Sequence, residues 1–226
     1  MSIPRRYILS TADVPAPLII EAATKGIQLD IVPFIRTEAV ERAGEMPERA
    51  RNVVFTSQHA VEALTGSGGT DGWKIFCTSG VTRRLAVEYF GEAAIAGTAD
   101  SAAALATVII GAGVEKEVWF FCGDQRREEL PTLLREAGFR VHEVIVYRTA
   151  LTPLKLERTY DGIAFFSPSG VESFFSVNSV ETAAALFAIG RTTATAILAR
   201  TGRAAIVSSK PDKELLIHQM IAHFTL

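Results

Sequence analysis

The chain has 226 residues, of which 48% are hydrophobic and 21% charged, and its formal net charge is −2. This composition excludes an intrinsically disordered chain. The near-neutral charge, without a run of like charges, argues against a nucleic-acid-binding or membrane-surface protein. Because domains average roughly 150 residues, the length predicts one large domain or two small ones.

No segment of the sequence predicts export or membrane insertion. The start, MSIPRRYILSTADVP, contains two arginines but no apolar stretch of secretory length. The longest weakly polar run, residues 102–114, is shorter than the roughly 20 residues that span a bilayer. We therefore expect a soluble, cytoplasmic protein.

The cysteines and histidines predict no metal site. Cys77 and Cys122 lie inside apolar runs, which favours two buried thiols and leaves a disulfide possible but not implied. A structural zinc site needs about four closely spaced Cys or His ligands, and the four histidines show no such spacing.

The predicted elements, taken in chain order, occur twice. The first copy begins with an apolar strand, RYILS at residues 6–10, followed by a helical segment and by GIQLDIVPFIRT from residue 26. The second copy begins with VWFFC at residues 118–122, followed in the same way by GFRVHEVIVYRT from residue 138. Each of these two segments of the second copy lies 112 residues after its counterpart. VVFTSQHAVEAL from residue 53 matches IAFFSPSGVESF from residue 163, 110 residues later. With the later pairs KIFCTSGVTRRLA/ALFAIGRTTATAI and ADSAAAL/SKPDKEL, the order and offset indicate an internal duplication.

Each half is predicted as strand, helix, strand, strand, helix, strand, helix. The strands are short runs rich in Ile, Val and Phe, and the helices show apolar residues at helical spacing. In REELPTLLREAGF, residues 127–139, Gly138 falls where a C′ glycine ends a helix. The alternation predicts the α/β class, with two similar domains that are each a parallel sheet flanked by helices.

The pattern leaves the domain boundary open. A sequential split near residue 113 is one possibility. However, both copies of the RT strand run into polar stretches that contain proline, EAVERAGEMPERA at residues 38–50 and ALTPLKLER at residues 150–158. These stretches are predicted linkers, and two linkers at equivalent points would permit a crossed arrangement.

Ligands of open parallel sheets bind beyond the carboxyl ends of the strands, next to helix N-termini. Five turns at such positions carry hydroxyls, small residues or arginines, which together suit carboxylates or phosphates. For any single turn, an ordinary N-cap is the commoner explanation, and Ser169 with Glu172 fits a capping box. The five turns are TSQH (56–59), TSGVT (78–82), GDQRR (123–127), SPSG (167–170) and GRTT (190–193).

Tyr147 stands out only by comparison with its repeat partner. On its own it is most simply a half-buried strand aromatic, but the matching residue is Ile35, so packing there does not require a hydroxyl. Three arginines lie at predicted helix starts: Arg126, Arg127 and Arg191. Because the helix dipole repels a cation there, a purely helix-stabilising role is less favoured than a solvated face or a ligand contact.

The order FTSQHAVEAL, SGVT, CGDQRREELPTLLREAG, VIVYRT, FFSPSGVESF, IGRTTA resembles the uroporphyrinogen-III synthase family, from residue 7 to about residue 215. The resemblance implies the crossed arrangement, with one domain formed by residues 1–36 plus 150–226 and the other by residues 38–147. The two RT strands would then form a two-stranded β connection between the domains.

The family's reaction, as the resemblance implies it, needs no cofactor. Linear hydroxymethylbilane loses its hydroxyl, attacks its own ring D to give a spiro intermediate, and closes with ring D inverted and water lost. Since the substrate carries eight carboxylates, backbone donors in the turns would hold it. The resemblance also implies a monomer of tetrapyrrole (heme) biosynthesis, with transient contact with hydroxymethylbilane synthase and no nucleic-acid or membrane partner.

Site residues are carried over by position. Tyr147 matches the tyrosine proposed to assist departure of the hydroxyl. The residues that match substrate-binding positions are Thr56, Ser57, Thr82, Arg127, Ser167, Ser169, Gly190 and Thr192. The sequence departs from the family at His59, where a small or amide residue is usual, and at Asp212, which follows Pro211 where threonine is usual.

Two other functions compete with the enzyme. The first is a non-catalytic, two-lobed cytoplasmic sensor that binds a small polyanion. The second is a duplicated flavodoxin-like domain with a structural or regulatory role, which would not need donor-rich turns at five strand ends.

Overall fold

The computed structural model describes residues 6–40, 51–66 and 70–225. Its contacts divide the chain into two compact units. Unit 1 consists of Met1–Arg36 and Ala150–Leu226, and unit 2 is Thr37–Thr149. Both boundaries fall within or beside the two copies of the RT strand, so unit 1 is built from the two ends of the chain and unit 2 from its middle.

The first half of the chain contains six strands and four α-helices within the described residues. They are β1 Arg6–Ser10, α1 Ala16–Thr24, β2 Ile27–Ile31, β3 Ile35–Ala39, β4 Asn52–Phe55, α2 Gln58–Glu62, β5 Lys74–Thr78, α3 Val81–Phe90, β6 Ile95–Ala99 and α4 Ala102–Gly111. A 3₁₀ turn at Glu92–Ala94 precedes β6.

The second half continues the same alternation. Its elements are β7 Glu117–Gly123, α5 Glu129–Glu136, β8 Arg140–Leu151, β9 Gly162–Phe165, α6 Pro168–Val177, β10 Ala185–Ala188, α7 Arg191–Thr201, β11 Ile206–Val207 and α8 Lys213–His223. No helix among the described residues is long and apolar enough to cross a membrane.

The two sheets have the same strand order. Unit 1 has the order β11-β10-β9-β1-β2, and its neighbouring strands are parallel. Unit 2 has the order β6-β5-β4-β7-β8-β3, with parallel pairing from β6 to β8. The strands β6, β5, β4, β7 and β8 thus occupy the same places in their sheet as β11, β10, β9, β1 and β2 in unit 1. The predicted α/β class with parallel sheets is confirmed.

Both sheets are covered by apolar side chains on two faces. In unit 2, one cluster surrounds Phe55, Trp73 and Phe121, and a second surrounds Phe76 and Leu134. Unit 1 also has two clusters, one on each side of its central strands. Strands buried on both faces explain why the sequence shows continuous apolar runs, with little alternation.

The structure has more elements than the repeat pattern predicts. The predicted series stops before β6 and α4 in the first half and before β11 and α8 in the second. IAGTA of β6 is only weakly apolar, and β11 has two residues, so neither gives a strand signal that can be told from a loop. The first RT copy is also not one strand, because it is interrupted between β2 and β3 at residues 32–34, which include Pro33. Proline lacks the N–H that a continuous ladder would need.

The second RT copy is one strand, β8, twelve residues long. Its entry point is set by Gly138, which has a φ of 81° and follows α5. The Phe139 N–H bonds to the Leu134 carbonyl at 2.9 Å, and the Gly138 N–H bonds to the Arg135 carbonyl at 2.9 Å. This is the Schellman pattern, and the predicted helix end at Gly138 is confirmed.

The predicted linkers differ from the structure in part. β3 extends to Ala39 and β8 to Leu151, so each strand enters the stretch predicted as linker. Residues 41–50, the rest of the first predicted linker, lie outside the described residues.

Candidate active site

Five of the predicted site residues lie at one edge of the unit 2 sheet. β4, β5, β7 and β8 are parallel, so their carboxyl ends meet at the same edge. Thr56, Ser57, Thr82 and Arg127 lie in the turns or first helical residues that follow three of these strands, and Tyr147 lies where β8 stops pairing with β7.

The Tyr147 ring meets the His59 ring edge-on, with the centroids 5.7 Å apart. Burial raises the pKa of Tyr147 above that of an ordinary phenol, and the nearby Ser57 side chain lowers it by less. The phenol is therefore neutral near pH 7 and able to donate a proton.

Ser57 has two roles at this edge. It is the N-cap of α2, and its Oγ accepts a hydrogen bond from the His59 backbone N–H at 3.2 Å. A serine hydroxyl has one proton to donate besides its acceptor lone pairs. Ser57 can thus donate to the Tyr147 oxygen, which leaves the Tyr147 proton for another acceptor.

A β-bulge places Tyr147 opposite Gly123. Cys122 pairs with Ile145, but Gly123 pairs with Tyr147, so the register shifts by one residue between the two pairs. The Asp124 N–H then bonds to the Tyr147 carbonyl at 3.2 Å, and Asp124 Oδ1 accepts from the Thr149 N–H at 3.1 Å. These contacts fix the end of β8 against the turn after β7.

Two neighbours of the phenol were missed by sequence reasoning. His59 was noted only as a departure from the family, and Gly123 only as part of a turn. Their contact with Tyr147 depends on the bulge and on strand order, and neither leaves a local signal in the sequence.

The two arginines of the turn after β7 differ in their partners. Arg126 forms ion pairs with Glu143 and, at 3.2 Å, with Glu128. Arg127 is exposed and has no ion pair within the described part of the chain. Of the pair, Arg127 is the cation available to a ligand.

Thr82 lies in the first turn of α3 and is 8% exposed. The N-cap of this helix is Gly80, which makes no side-chain capping bond. The first backbone N–H groups of α3 therefore face the carboxyl edge of the sheet without a capping side chain, as they would to receive an anion.

The other four predicted residues lie in unit 1, at the carboxyl ends of β9 and β10. Ser167 is the N-cap of α6, and its Oγ accepts from the Gly170 N–H at 3.0 Å. Ser169 is buried in the first turn, so the capping box predicted for Ser169 and Glu172 is wrong: the helix begins two residues earlier. Gly190 precedes α7 without a side-chain cap, and Thr192 is exposed.

Neither thiol is suited to nucleophilic catalysis. Cys77 and Cys122 are both free and buried. Burial raises the pKa of Cys77 to about 11 and that of Cys122 to about 12. Since the thiolate is the reactive form, these side chains are inert near neutral pH. Among the described residues, no group of three or more His, Cys, Asp or Glu side chains could hold a metal ion.

The cavities found in unit 1 lie at the opposite edge of its sheet. One, of about 380 Å³, is lined by Arg6 and Tyr7 at the start of β1, Asp161 before β9 and Ala184 before β10. These are amino ends of parallel strands, whereas the predicted site residues of unit 1 follow carboxyl ends. The cavity therefore belongs to a different surface.

Comparison with protein-family models finds a match over most of the chain. The sequence model described as uroporphyrinogen-III synthase HemD matches residues 18–218. Comparison with curated protein sequences finds no significant match.

Solved structures resemble the chain over nearly its whole length. The crystal structure of uroporphyrinogen-III synthetase from Helicobacter pylori has a TM-score of 0.73 and 18% identity, with 96% of this chain and 99% of that chain covered. A mutant uroporphyrinogen III synthase from Thermus thermophilus has a TM-score of 0.63 and 16% identity, with 96% of this chain and 98% of that chain covered. At these identities the likeness shows the fold.

Proposed function

This chain belongs to the uroporphyrinogen-III synthase family, and from that premise we propose that it is a cofactor-free lyase. It converts linear hydroxymethylbilane to uroporphyrinogen III, with inversion of ring D and loss of water. The observation that carries the proposal is the neutral Tyr147 phenol, which lies beside Ser57 and His59 at the carboxyl edge of the unit 2 sheet.

The first step is departure of the terminal hydroxyl. The C–O bond breaks, the electron pair of the pyrrole nitrogen forms the N-protonated azafulvene, and the oxygen leaves as water with a proton from the Tyr147 phenol. The phenol regains a proton when the closing carbon loses its own in the last step. Tyr147 is able to hydrogen-bond to that oxygen because burial keeps the phenol protonated. Ser57, whose Oγ already accepts from the His59 N–H, donates to the phenol oxygen and orients it.

The later steps depend on position more than on acid–base groups. The azafulvene carbon bonds to the substituted carbon of ring D, and the spiro intermediate fragments and recombines before the last proton is lost from the closing carbon. The unassisted reaction closes without inversion, so the protein must hold the two chain ends in the geometry of attack.

Donors in the turns suit the eight carboxylates of the substrate. In unit 2 we assign Thr56, Ser57, Thr82 and Arg127 to substrate binding, and in unit 1 Ser167, Ser169, Gly190 and Thr192. The starts of α3 and α7, which no side chain caps, supply backbone N–H groups. This explains how a chain of net charge −2 can bind a polyanion.

The substrate's tendency to close unassisted favours rapid transfer from the enzyme that makes it. We therefore propose a transient cytoplasmic contact with hydroxymethylbilane synthase. The test compares two ways of supplying hydroxymethylbilane to catalytic amounts of this protein: by the synthase, or as free substrate added at the same rate. If the contact exists, the first gives less non-inverted product than the second. Equal product in both cases would contradict it.

The proposed role of the phenol is tested by the rate of hydroxymethylbilane consumption. Tyr147→Phe should lower kcat roughly tenfold with little change in KM or melting temperature, because one hydrogen bond to the leaving group is lost. Tyr89→Phe is the matched control, since Tyr89 lies on α3 in the same unit and is 47% exposed. A wild-type chain that does not accelerate consumption would defeat the function, and a fully active Tyr147→Phe would defeat only the role of the phenol.

A further inference from the structure

The Tyr147 ring reaches His59 across an intervening strand. Tyr147 is on β8, His59 is on α2 directly after β4, and β7 lies between these strands. Neighbouring strands are about 4.8 Å apart, so the two backbones are separated by roughly twice that distance. The Tyr147 side chain must therefore lie over β7 for its ring to meet the His59 ring.

The residue of β7 beneath the ring is Gly123. A β-carbon added to Gly123 would lie 2.5 Å from Tyr147 Cζ and 2.9 Å from the Tyr147 hydroxyl oxygen. Carbon atoms in contact are normally about 3.5–4.0 Å apart, so no other residue leaves room for the ring in this position.

The backbone itself does not require glycine at this position. Gly123 is not among the glycines with positive φ, so an alanine could adopt its conformation without strain. Among the neighbouring atoms, those of the Tyr147 ring are thus the only ones that require residue 123 to be glycine.

The β-bulge determines the face of the sheet on which the Tyr147 side chain lies. Val144 and Val146 pack against the cluster around Phe55 and Trp73, and regular alternation would turn Tyr147 to the opposite face of the sheet. The register shift at Gly123 removes that alternation, and Tyr147 packs against the same cluster as Val146. A bulge of this kind re-aims a side chain.

We propose that Gly123 is a positioning residue for the synthase reaction, acting only through the Tyr147 phenol. The absence of a side chain at Gly123, and the β-bulge of β8 opposite it, leave room for the ring over β7, where the phenol lies beside Ser57 and His59. This inference rests on the proposed function of Tyr147. It adds a residue of another strand that makes the phenol usable.

The test is a double-mutant cycle between Gly123→Ala and Tyr147→Leu. Leucine removes the ring with little change of polarity, and the repeat partner Ile35 shows that an aliphatic residue suits the equivalent strand position. Gly123→Ala should lower kcat roughly 5- to 20-fold in the wild-type background and less than about 2-fold in the Tyr147→Leu background. The melting temperature should fall in the first background and be unchanged in the second.

Gly162→Ala is the matched control. A β-carbon there would lie 2.5 Å from Cε2 of the Phe224 ring, and Gly162 also lacks a positive φ, so the substitution makes a similar overlap in unit 1. We expect it to lower the melting temperature while leaving kcat and the response to Tyr147→Leu unchanged.

A readout independent of activity is the ¹³Cζ resonance of Tyr147, assigned by its loss in Tyr147→Phe. Gly123→Ala should shift this resonance and leave those of Tyr7, Tyr89 and Tyr160 in place. Equal losses of kcat in both backgrounds would show that Gly123 acts on the turn and not through the phenol. An unshifted Tyr147 resonance would show that Gly123 does not position the ring. This result could be obtained even if the chain had no synthase activity at all.

Discussion

Arg126 and Arg127 are adjacent in sequence, but among the described residues only Arg126 has carboxylate partners. Its partners are Glu143, whose side chain is 14% exposed, and Glu128. The sequence placed both arginines at a helix start and could not separate them, because Glu143 is 17 residues away on another element. A paired arginine and an exposed one can thus be neighbours with the same local signal.

Arg127→Ala should raise KM for hydroxymethylbilane roughly two- to fivefold, with kcat and the melting temperature unchanged. This is the size expected when one exposed charge contact is lost, and it should diminish at high salt. Arg140→Ala is the control, since Arg140 has the same charge but begins β8 at the opposite edge of the sheet. If both substitutions raised KM equally, the effect would be one of net charge and not of site.

The sequence singles out Tyr147 when the two repeats are compared, since Ile35 shows what packing alone accepts at that strand position. Gly123 could not be found in this way. Its importance depends on which residue it faces across β7 and β8, and a register shift of one residue is invisible in the sequence of either strand.

Among the elements, β8 is fixed to the turn before α5 by a charge cluster. Glu143 on β8 accepts hydrogen bonds from Arg126 in the turn and from Arg135 in α5. Burial alone would raise the pKa of Glu143, but the two arginines outweigh it and hold the pKa below the ordinary value of a carboxyl. The cluster thus holds together the strand that carries Tyr147 and the turn that carries Arg127.

Glu143→Gln should lower the free energy of unfolding at pH 7 by about 1–3 kcal/mol, because it removes a charge that both arginines depend on. A carboxyl whose pKa is lower in the folded state stabilises above its unfolded pKa, about 4.3, and loses that effect as the pH falls through its folded pKa. The stability difference between wild type and variant should therefore be constant above about pH 5 and shrink below about pH 4 in denaturant titrations.

Glu117→Gln is the control for this measurement. Glu117 pairs with His142 on the same sheet, but its side chain is 49% exposed, so the substitution should change stability by less than about 1 kcal/mol. A Glu143→Gln difference that persisted unchanged to pH 3 would show that packing, and not charge, holds β8 to the turn.

The elements that the sequence predicted well are those with strong local signals. The buried strands have continuous apolar runs, and α5 ends at a glycine whose φ of 81° other residues rarely adopt. β6 was missed because it is weakly apolar and β11 because it has only two residues, and the place of each depends on pairing with β5 or β10. The start of α6 was misplaced by two residues because Ser167 and Ser169 are both good caps, and only the backbone conformation decides between them.

For the whole molecule, the duplication is visible in sequence but the path of the chain is not. The same repeats could form two sequential domains or two crossed ones, because both give sheets with the same local patterns. In the structure, unit 1 combines β1 and β2 with β9, β10 and β11, from opposite ends of the chain. This pairing of distant strands is a tertiary property that no window of sequence records.

The central claim is that this chain directs closure of hydroxymethylbilane with inversion of ring D. Its most direct test is isomer analysis: hydroxymethylbilane is generated by its synthase in the presence of the protein, the products are oxidised, and the uroporphyrin isomers are separated by chromatography. We expect predominantly type III uroporphyrin when the native protein is present. We expect type I when the protein is omitted or heat-denatured. Type I alone, from protein shown to be folded by its circular dichroism, would contradict the claim and favour a non-catalytic binder of a polyanion.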